Sequence, residues 1–234
     1  MAEEGVATGC KRVVVVGGSS GIGRAIADQC NDYGHRVITM QRSVNTWDAM
    51  ELDLRWDQHT IGLACGIAAS RYGGIDWLVL SGGVAAYTLP IVREEQVVEM
   101  IRTNYIGPRL VFNAFLRELA KGTSSRVLYI GSTAAQRTGK ALEDYAASKA
   151  AAETFFLAAG RRFAKLGIRC NVLAPGWVES PMSDSLKPEL AEKAKRVIAL
   201  HRFAHPTEIA DMAYSILDGP DYLNGDRISI SGGL

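Results

Sequence analysis

Short apolar runs rich in β-branched residues alternate along the chain with longer stretches of helical spacing. The first run, Arg12–Val16, has no polar residue between its valines and ends in Gly17-Gly18. It reads as a strand buried on both faces. Residues 23–33 carry helical spacing, and Gly34 stops it. Residues 37–40 form a second apolar run, and residues 50–54 a third and shorter one. A helix is predicted over residues 60–72, closed by Gly73-Gly74, and a strand over Trp77–Leu80, running into Ser81-Gly82-Gly83. Residues 94–120 read as one long helical stretch interrupted at Gly107-Pro108. A strand at 127–130 and a helix at 144–166 follow, then a strand at 169–173 broken by Pro175-Gly176. Helices over 188–200 and Pro206–Leu217 and a last strand at 228–230 complete the pattern.

Continuous apolar strands alternating with helices predict the α/β class, with a doubly wound parallel sheet and helices on both faces. No repeat, linker or composition shift divides residues 1–234, so one domain is expected, with residues 1–10 as a frayed lead-in. The stretch from Arg42 to Glu51 is short for a parallel crossover, which normally takes about a dozen residues. The usual helix there should be lost or cut to about a turn. Ligands of such sheets bind beyond the carboxyl ends of the strands. Attention therefore falls on the loops after Val16, Met40, Leu54, Leu80, Ile130 and Leu173.

Composition narrows the function. Apolar residues make up 47% and charged residues 22% of the 234, which excludes disorder as the main state. The net charge of +1 provides no field for a nucleic-acid backbone, and no aromatic array interleaves Trp47, Trp56, Trp77 and Trp177 for stacking on bases. No apolar run approaches the roughly 20 residues that span a bilayer. The acidic first ten residues do not read as a secretory signal. Cys10, Cys30, Cys65 and Cys170 are scattered, as expected of reduced thiols in a cytoplasmic protein. His201 and His205 lie four apart without a third ligand, so no metal site is expected.

Two constellations carry chemistry. Gly17-Gly18-Ser19-Ser20-Gly21-Ile22-Gly23 joins the first strand to the first helix. Glycines there let a backbone approach a ligand, and the helix start favours an anion such as a pyrophosphate. A tight structural turn is the other reading. Tyr145 and Lys149 are four apart in a helical stretch and share a face. An ammonium beside a phenol favours the phenolate and lets it exchange a proton with a substrate oxygen. A surface pair would show the same spacing. Ser132 follows the 127–130 strand at the carboxyl edge, as a turn hydroxyl or a donor to substrate.

Together these residues resemble the short-chain dehydrogenase/reductase family over nearly the whole chain. The T-G-x-x-x-G-x-G motif stands as Val16-Gly17-Gly18-Ser19-Ser20-Gly21-Ile22-Gly23, and Y-x-x-x-K as Tyr145-Ala146-Ala147-Ser148-Lys149. The family serine falls on Ser132 and the family asparagine on Asn104. The segment Ala174-Pro175-Gly176-Trp177-Val178-Glu179-Ser180 resembles the motif beside the nicotinamide, and the tail from Asn224-Gly225 to Gly232-Gly233 also fits. The resemblance implies a Rossmann-type sheet and an NAD(P)-dependent oxidoreductase acting on a carbonyl or alcohol, in the direction of ketone reduction. It implies that Tyr145 is the general acid, that Lys149 lowers its pKa and holds the ribose, that Ser132 hydrogen-bonds the reacting oxygen, and that Asn104 supports a water-linked proton path. It assigns Ser19, Ser20, Gly21, Ile22 and Gly23 with Gly17 to the pyrophosphate, Asp53 and Leu54 to adenine, and Gly82, Pro175, Gly176, Val178 and Ser180 to the rest of the dinucleotide. Val16 replaces the motif threonine, and Leu80-Ser81-Gly82-Gly83 stands for N-N-A-G. That second change leaves a non-catalytic dinucleotide sensor or scaffold as the alternative function.

At the end of the second strand, Met40 stands where a carboxylate would bind NAD, with Arg42 and Ser43 close behind. A guanidinium suits a 2′-phosphate, so NADP is favoured over NAD. Residues 180–203 interrupt the sheet pattern and should cover a small-molecule substrate. Apolar residues on the two long helices (Leu110, Val111, Phe112, Phe115, Leu119 and Phe155, Phe156, Leu157, Phe163) spread wider than one stripe. Some should stay exposed on a monomer, which predicts a homo-oligomer, a tetramer ahead of a dimer.

Overall fold

Seven parallel strands form one sheet in the order β3-β2-β1-β4-β5-β6-β7. They are β1 (Arg12–Val16), β2 (Arg36–Gln41), β3 (Ala49–Glu51), β4 (Trp77–Leu80), β5 (Ser125–Ile130), β6 (Ile168–Pro175) and β7 (Arg227–Ile230). The computed structural model describes residues 9–44, 49–85, 93–122, 124–137, 142–184 and 186–234. Trp47 and part of the β2–β3 connection fall outside them.

The helices are α1 (Gly21–Asp32), α2 (Gln58–Tyr72), α3 (Glu94–Ile101), α4 (Gly107–Leu119), α5 (Glu143–Phe163), α6 (Pro181–Asp184), α7 (Pro188–Val197) and α8 (Pro206–Leu217). Val13 and Val15 of β1 join the core under α1 and α8, while Val14 and Val16 join the core under α2, α4 and α5. Both faces of the strand are dry, which is why its sequence shows no alternation. No described helix is long and apolar enough to cross a membrane.

The order of strands reverses at β1, whose neighbours are β2 and β4, so a crevice opens above their carboxyl ends. The third strand lies at the sheet edge and is shorter than expected, with Thr39↔Ala49, Met40↔Met50 and Gln41↔Glu51 in register. Strand β6 runs on through Pro175 instead of breaking before it. The ladder steps past the proline, because Gly176 N–H donates to Ile230 O at 2.8 Å.

The long helical stretch is irregular one turn earlier than expected. Residues Arg102–Ile106 form a π turn in which Gly107 N–H reaches back to Arg102 O, and Pro108 sits in the first turn of α4. Pro108 has no N–H to give the carbonyl four residues back, and its ring crowds that oxygen. The carbonyl belongs to Asn104, and it accepts the Tyr129 hydroxyl at 2.8 Å.

The apolar residues of α4 and α5 are better covered than their spread suggested. Val111, Phe112, Phe115, Leu119 and Phe156 are fully buried, and Leu110, Phe155, Leu157 and Phe163 are half-buried against them. Phe112 accounts for much of this, meeting the rings of Phe155, Phe156 and Phe163 at 5.5–6.1 Å.

Candidate active site

The carboxyl ends of the strands open onto a cavity of about 970 Å³, within the range of small-molecule sites. At one end lies the 17–23 loop. Gly17 has a φ of 82°, and a Cβ on it would stand 2.5 Å from Gly82 N. A Cβ on Gly23 would stand 2.1 Å from Gly17 O. The loop therefore folds tightly on itself and on the β4 loop. Ser20 caps α1 without a side-chain bond, so its first amides and positive dipole end remain available to an anion. Ser19, Gly21 and Ile22 complete this wall.

At the end of β2 one expectation changes. β2 extends to Gln41, so Gln41 and not Met40 is its last residue; Met40 is fully buried in the sheet. The tip still carries no carboxylate. Gln41 donates its amide to Ser43 O at 2.9 Å, and Ser43 stays off the cavity wall. Arg42 is exposed, lines the cavity and makes no ion pair among the described residues. Asp53 is paired with Arg55 (Oδ2–Nη2, 2.6 Å), and Arg55 also reaches Glu99 at 3.2 Å. Hydrogen bonds from Arg55 hold the Asp53 carboxyl below its ordinary range, and the charge of Arg42 adds to this. Leu54 and Gly82 line the same wall.

At the other end Ser132, Tyr145 and Lys149 reach the cavity together. Ser132 leaves β5 in extended conformation, and its Oγ accepts the Ala134 N–H at 3.2 Å. Tyr145 and Lys149 ride one face of α5. Lys149 is 4% exposed; its Nζ donates to Ile130 O at 2.8 Å and lies 5.0 Å from the Tyr129 ring centre. Burial lowers its pKa to about 8, against the opposing charge of Glu153. A buried ammonium that needs negative charge nearby favours the phenolate of a neighbouring tyrosine.

Asn104 does not line the cavity. It is fully buried in the π turn, where Nδ2 donates to Val84 O and to Ser148 Oγ, both at 2.9 Å, and Oδ1 accepts Val84 N–H at 2.8 Å. Ser148 Oγ in turn donates to Tyr145 O at 2.7 Å. Asn104 thereby ties the β4 loop to the turn of α5 that carries Tyr145.

Pro175, Gly176, Val178 and Ser180 form the remaining wall. Beyond them the chain leaves the sheet and returns beside itself, with Val178 bridged to Ala204 and Trp177 stacked on Phe203 at 5.5 Å. Within this excursion α7 has no fully buried residue and turns Lys193, Ala194 and Val197 toward the cavity. His205 caps α8 through Nδ1, and no group of three His, Cys, Asp or Glu among the described residues is placed to hold a metal. Glu153, Arg227 and Tyr129 surround the site and escaped the sequence reading. Glu153 alone left a trace there, as a carboxylate one turn past Lys149 in a run of alanines and phenylalanines.

A doubly wound sheet with a glycine-rich loop and a Tyr-Lys pair at one cavity fits the class of nicotinamide-dependent oxidoreductases acting on C=O or CH–OH groups. The chain belongs to the short chain dehydrogenase family, whose match spans residues 11–191. It is similar to a 3-oxoacyl-(acyl-carrier-protein) reductase of Bos taurus, at 29% identity over 237 residues covering 96% of this chain and 98% of the relative. Carbonyl reductase family member 4 of Danio rerio is 29% identical over 234 residues, covering 94% of this chain and 96% of that protein. A dehydrogenase/reductase structure from Sinorhizobium meliloti 1021 superposes with a TM-score of 0.86 at 27% identity, covering 95% of this chain and 94% of that one.

Proposed function

We propose that this protein reduces a ketone or aldehyde with NADPH in the cytoplasm. The observation that carries the reading is that Ser132, Tyr145 and Lys149 open into the same cavity as the 17–23 loop. The dinucleotide, when bound, supplies the hydride. The chain supplies placement and a proton. Ser132 donates its hydroxyl to the carbonyl oxygen, where negative charge develops. Tyr145 gives that oxygen its proton. The buried Lys149 ammonium keeps the resulting phenolate accessible near neutral pH. Asn104 supports the proton path behind Lys149 by holding Val84 and Ser148.

NADPH rather than NADH is supported by the tip of β2, where Gln41 carries no charge and Arg42, with no ion pair among the described residues, can meet a 2′-phosphate. Residues 180–203 cover the substrate, and the relatives' names point to 3-oxoacyl groups or smaller carbonyls as its class. Assembly into a homotetramer through α4 and α5 is supported by the half-buried Leu110, Phe155, Leu157 and Phe163. The test is to titrate the protein with NADPH and NADH by cofactor fluorescence, then to follow NADPH oxidation over ketones of increasing chain length. Tighter NADPH binding with carbonyl-dependent oxidation is expected. Binding without oxidation across the series would refute catalysis and leave a dinucleotide sensor.

A further inference from the structure

Behind Ser132 lies a buried ion pair that the roles above do not use. Glu153 stands on α5 one turn past Lys149 and two turns past Tyr145, and Arg227 opens β7. Glu153 Oε2 accepts Arg227 Nε at 2.7 Å, with side chains 5% and 11% exposed. Both partners also grip one residue from opposite sides. Glu153 Oε1 accepts the Ser132 N–H at 2.9 Å, and Arg227 Nη2 donates to Ser132 O at 3.0 Å. Gly131 leaves the space for this, since a Cβ there would stand 2.3 Å from Glu153 Oε1.

A buried ion pair is a poor source of stability, because desolvation consumes most of the attraction and apolar residues of equal volume do as well. Its value here is geometric. The pair closes a ring through α5, β7 and the Ser132 loop, using charge-assisted bonds that are stronger and shorter than neutral ones. Because Tyr145 and Lys149 ride on α5, the ring fixes where Ser132 stands relative to both. The Ser132 Oγ already accepts the Ala134 N–H, so its own proton is left to donate into the cavity. The pair is neutral overall and orients the serine without adding net charge where a substrate oxygen becomes negative.

We propose that Glu153 and Arg227 are positioning residues that hold Ser132 from both sides so that its hydroxyl meets the substrate oxygen in register with Tyr145. The inference rests on the carbonyl-reductase reading above. Arg227→Lys tests it, because an ammonium can answer Glu153 but lacks the planar fork that reaches Ser132 O as well. We expect kcat to fall about tenfold or more, as small misplacements of reacting groups do, with KM and the NADPH Kd within about twofold. In a Ser132→Ala background Arg227→Lys should slow the enzyme no further, which a double-mutant cycle reads directly. Should Arg227→Lys not fold, Glu153→Gln/Arg227→Met keeps the acceptor for the Ser132 amide, removes both charges and should lose kcat alike. An unchanged kcat, or the same fold-loss with and without Ser132, overturns the proposal. If the wild type reduces no carbonyl, the reading of function fails, and hydrogen exchange of the 125–137 segment still decides the positioning. Arg227→Lys should speed exchange there, and unchanged exchange overturns it.

Discussion

Replacing Lys149 by Met removes an ammonium held in the protein interior against its solvation preference. Burial brings the pKa of this group from 10.5 to about 8. Below about pH 8 both the folded and the unfolded chain carry the proton, and the folded state bears the full cost of burying it. Between the two pKa values the unfolded chain still binds the proton while the folded chain has released it, so stability rises with pH. Above the upper value both are neutral and the cost is gone. At about 1.4 kcal/mol per pKa unit, the rise across the window is about 3 kcal/mol. The Met variant has no proton to release. The stability of the wild type minus that of Lys149→Met should therefore climb by about 3 kcal/mol from pH 7 to above pH 10. Loss of the bond to Ile130 O and of the contact with the Tyr129 ring enters mainly as an offset, so the slope is the quantity to read. Urea unfolding of the cofactor-free protein, at one protein concentration and several pH values, measures it. Parallel curves for the two proteins would refute the argument, because they would mean that Lys149 carries no burial cost.

Tyr145→Phe should lower turnover by about 10²-fold or more, the range for a lost general acid, while fluorescence titration finds NADPH affinity nearly unchanged; wild-type rates would exclude the proton-transfer role. Arg42→Ala should weaken NADPH binding by about 1–3 kcal/mol, the worth of a charged hydrogen bond, and leave NADH binding unmoved. Equal losses for both cofactors would place Arg42 away from the 2′-phosphate. Light scattering at micromolar concentration should give about four times the 25.3 kDa chain mass, and a stable particle of one chain would exclude assembly through α4 and α5.

The sequence was most legible where the signal is local. β1, β4 and α8 have the predicted ends because a dry valine or leucine run and a proline or glycine stop are read within a few residues. It was least legible where a partner distant in sequence decides. Whether Met40 or Gln41 ends β2 depends on the pairing with Glu51 on a three-residue edge strand. The π turn follows from Pro108, but its payoff, an Asn104 carbonyl free for Tyr129, needs a strand 25 positions away. Glu153 and Arg227 are 74 positions apart, and neither carries a motif. The apolar width of α4 and α5 was visible, but not that Phe112 would meet three rings from α5 and use up most of it.

The closed neck of the 180–203 excursion bears on how such a protein can diversify. The chain leaves and returns at one place, with Ala204 N–H on Trp177 O and Glu179 N–H on Ala204 O, both at 2.9 Å. The ends of the excursion are pinned at the neck, and it is held a second time where Leu200 N–H donates to Gly232 O at 3.1 Å. The entropy of closing a longer loop grows only with the logarithm of its length, about 0.6 kcal/mol per doubling. Changes of length among the exposed residues of α7 should therefore cost little at the neck, beside which Pro175 and Gly176 lie. Closed at its neck, the segment can vary in length and exposed sequence while the sheet beneath it keeps its register.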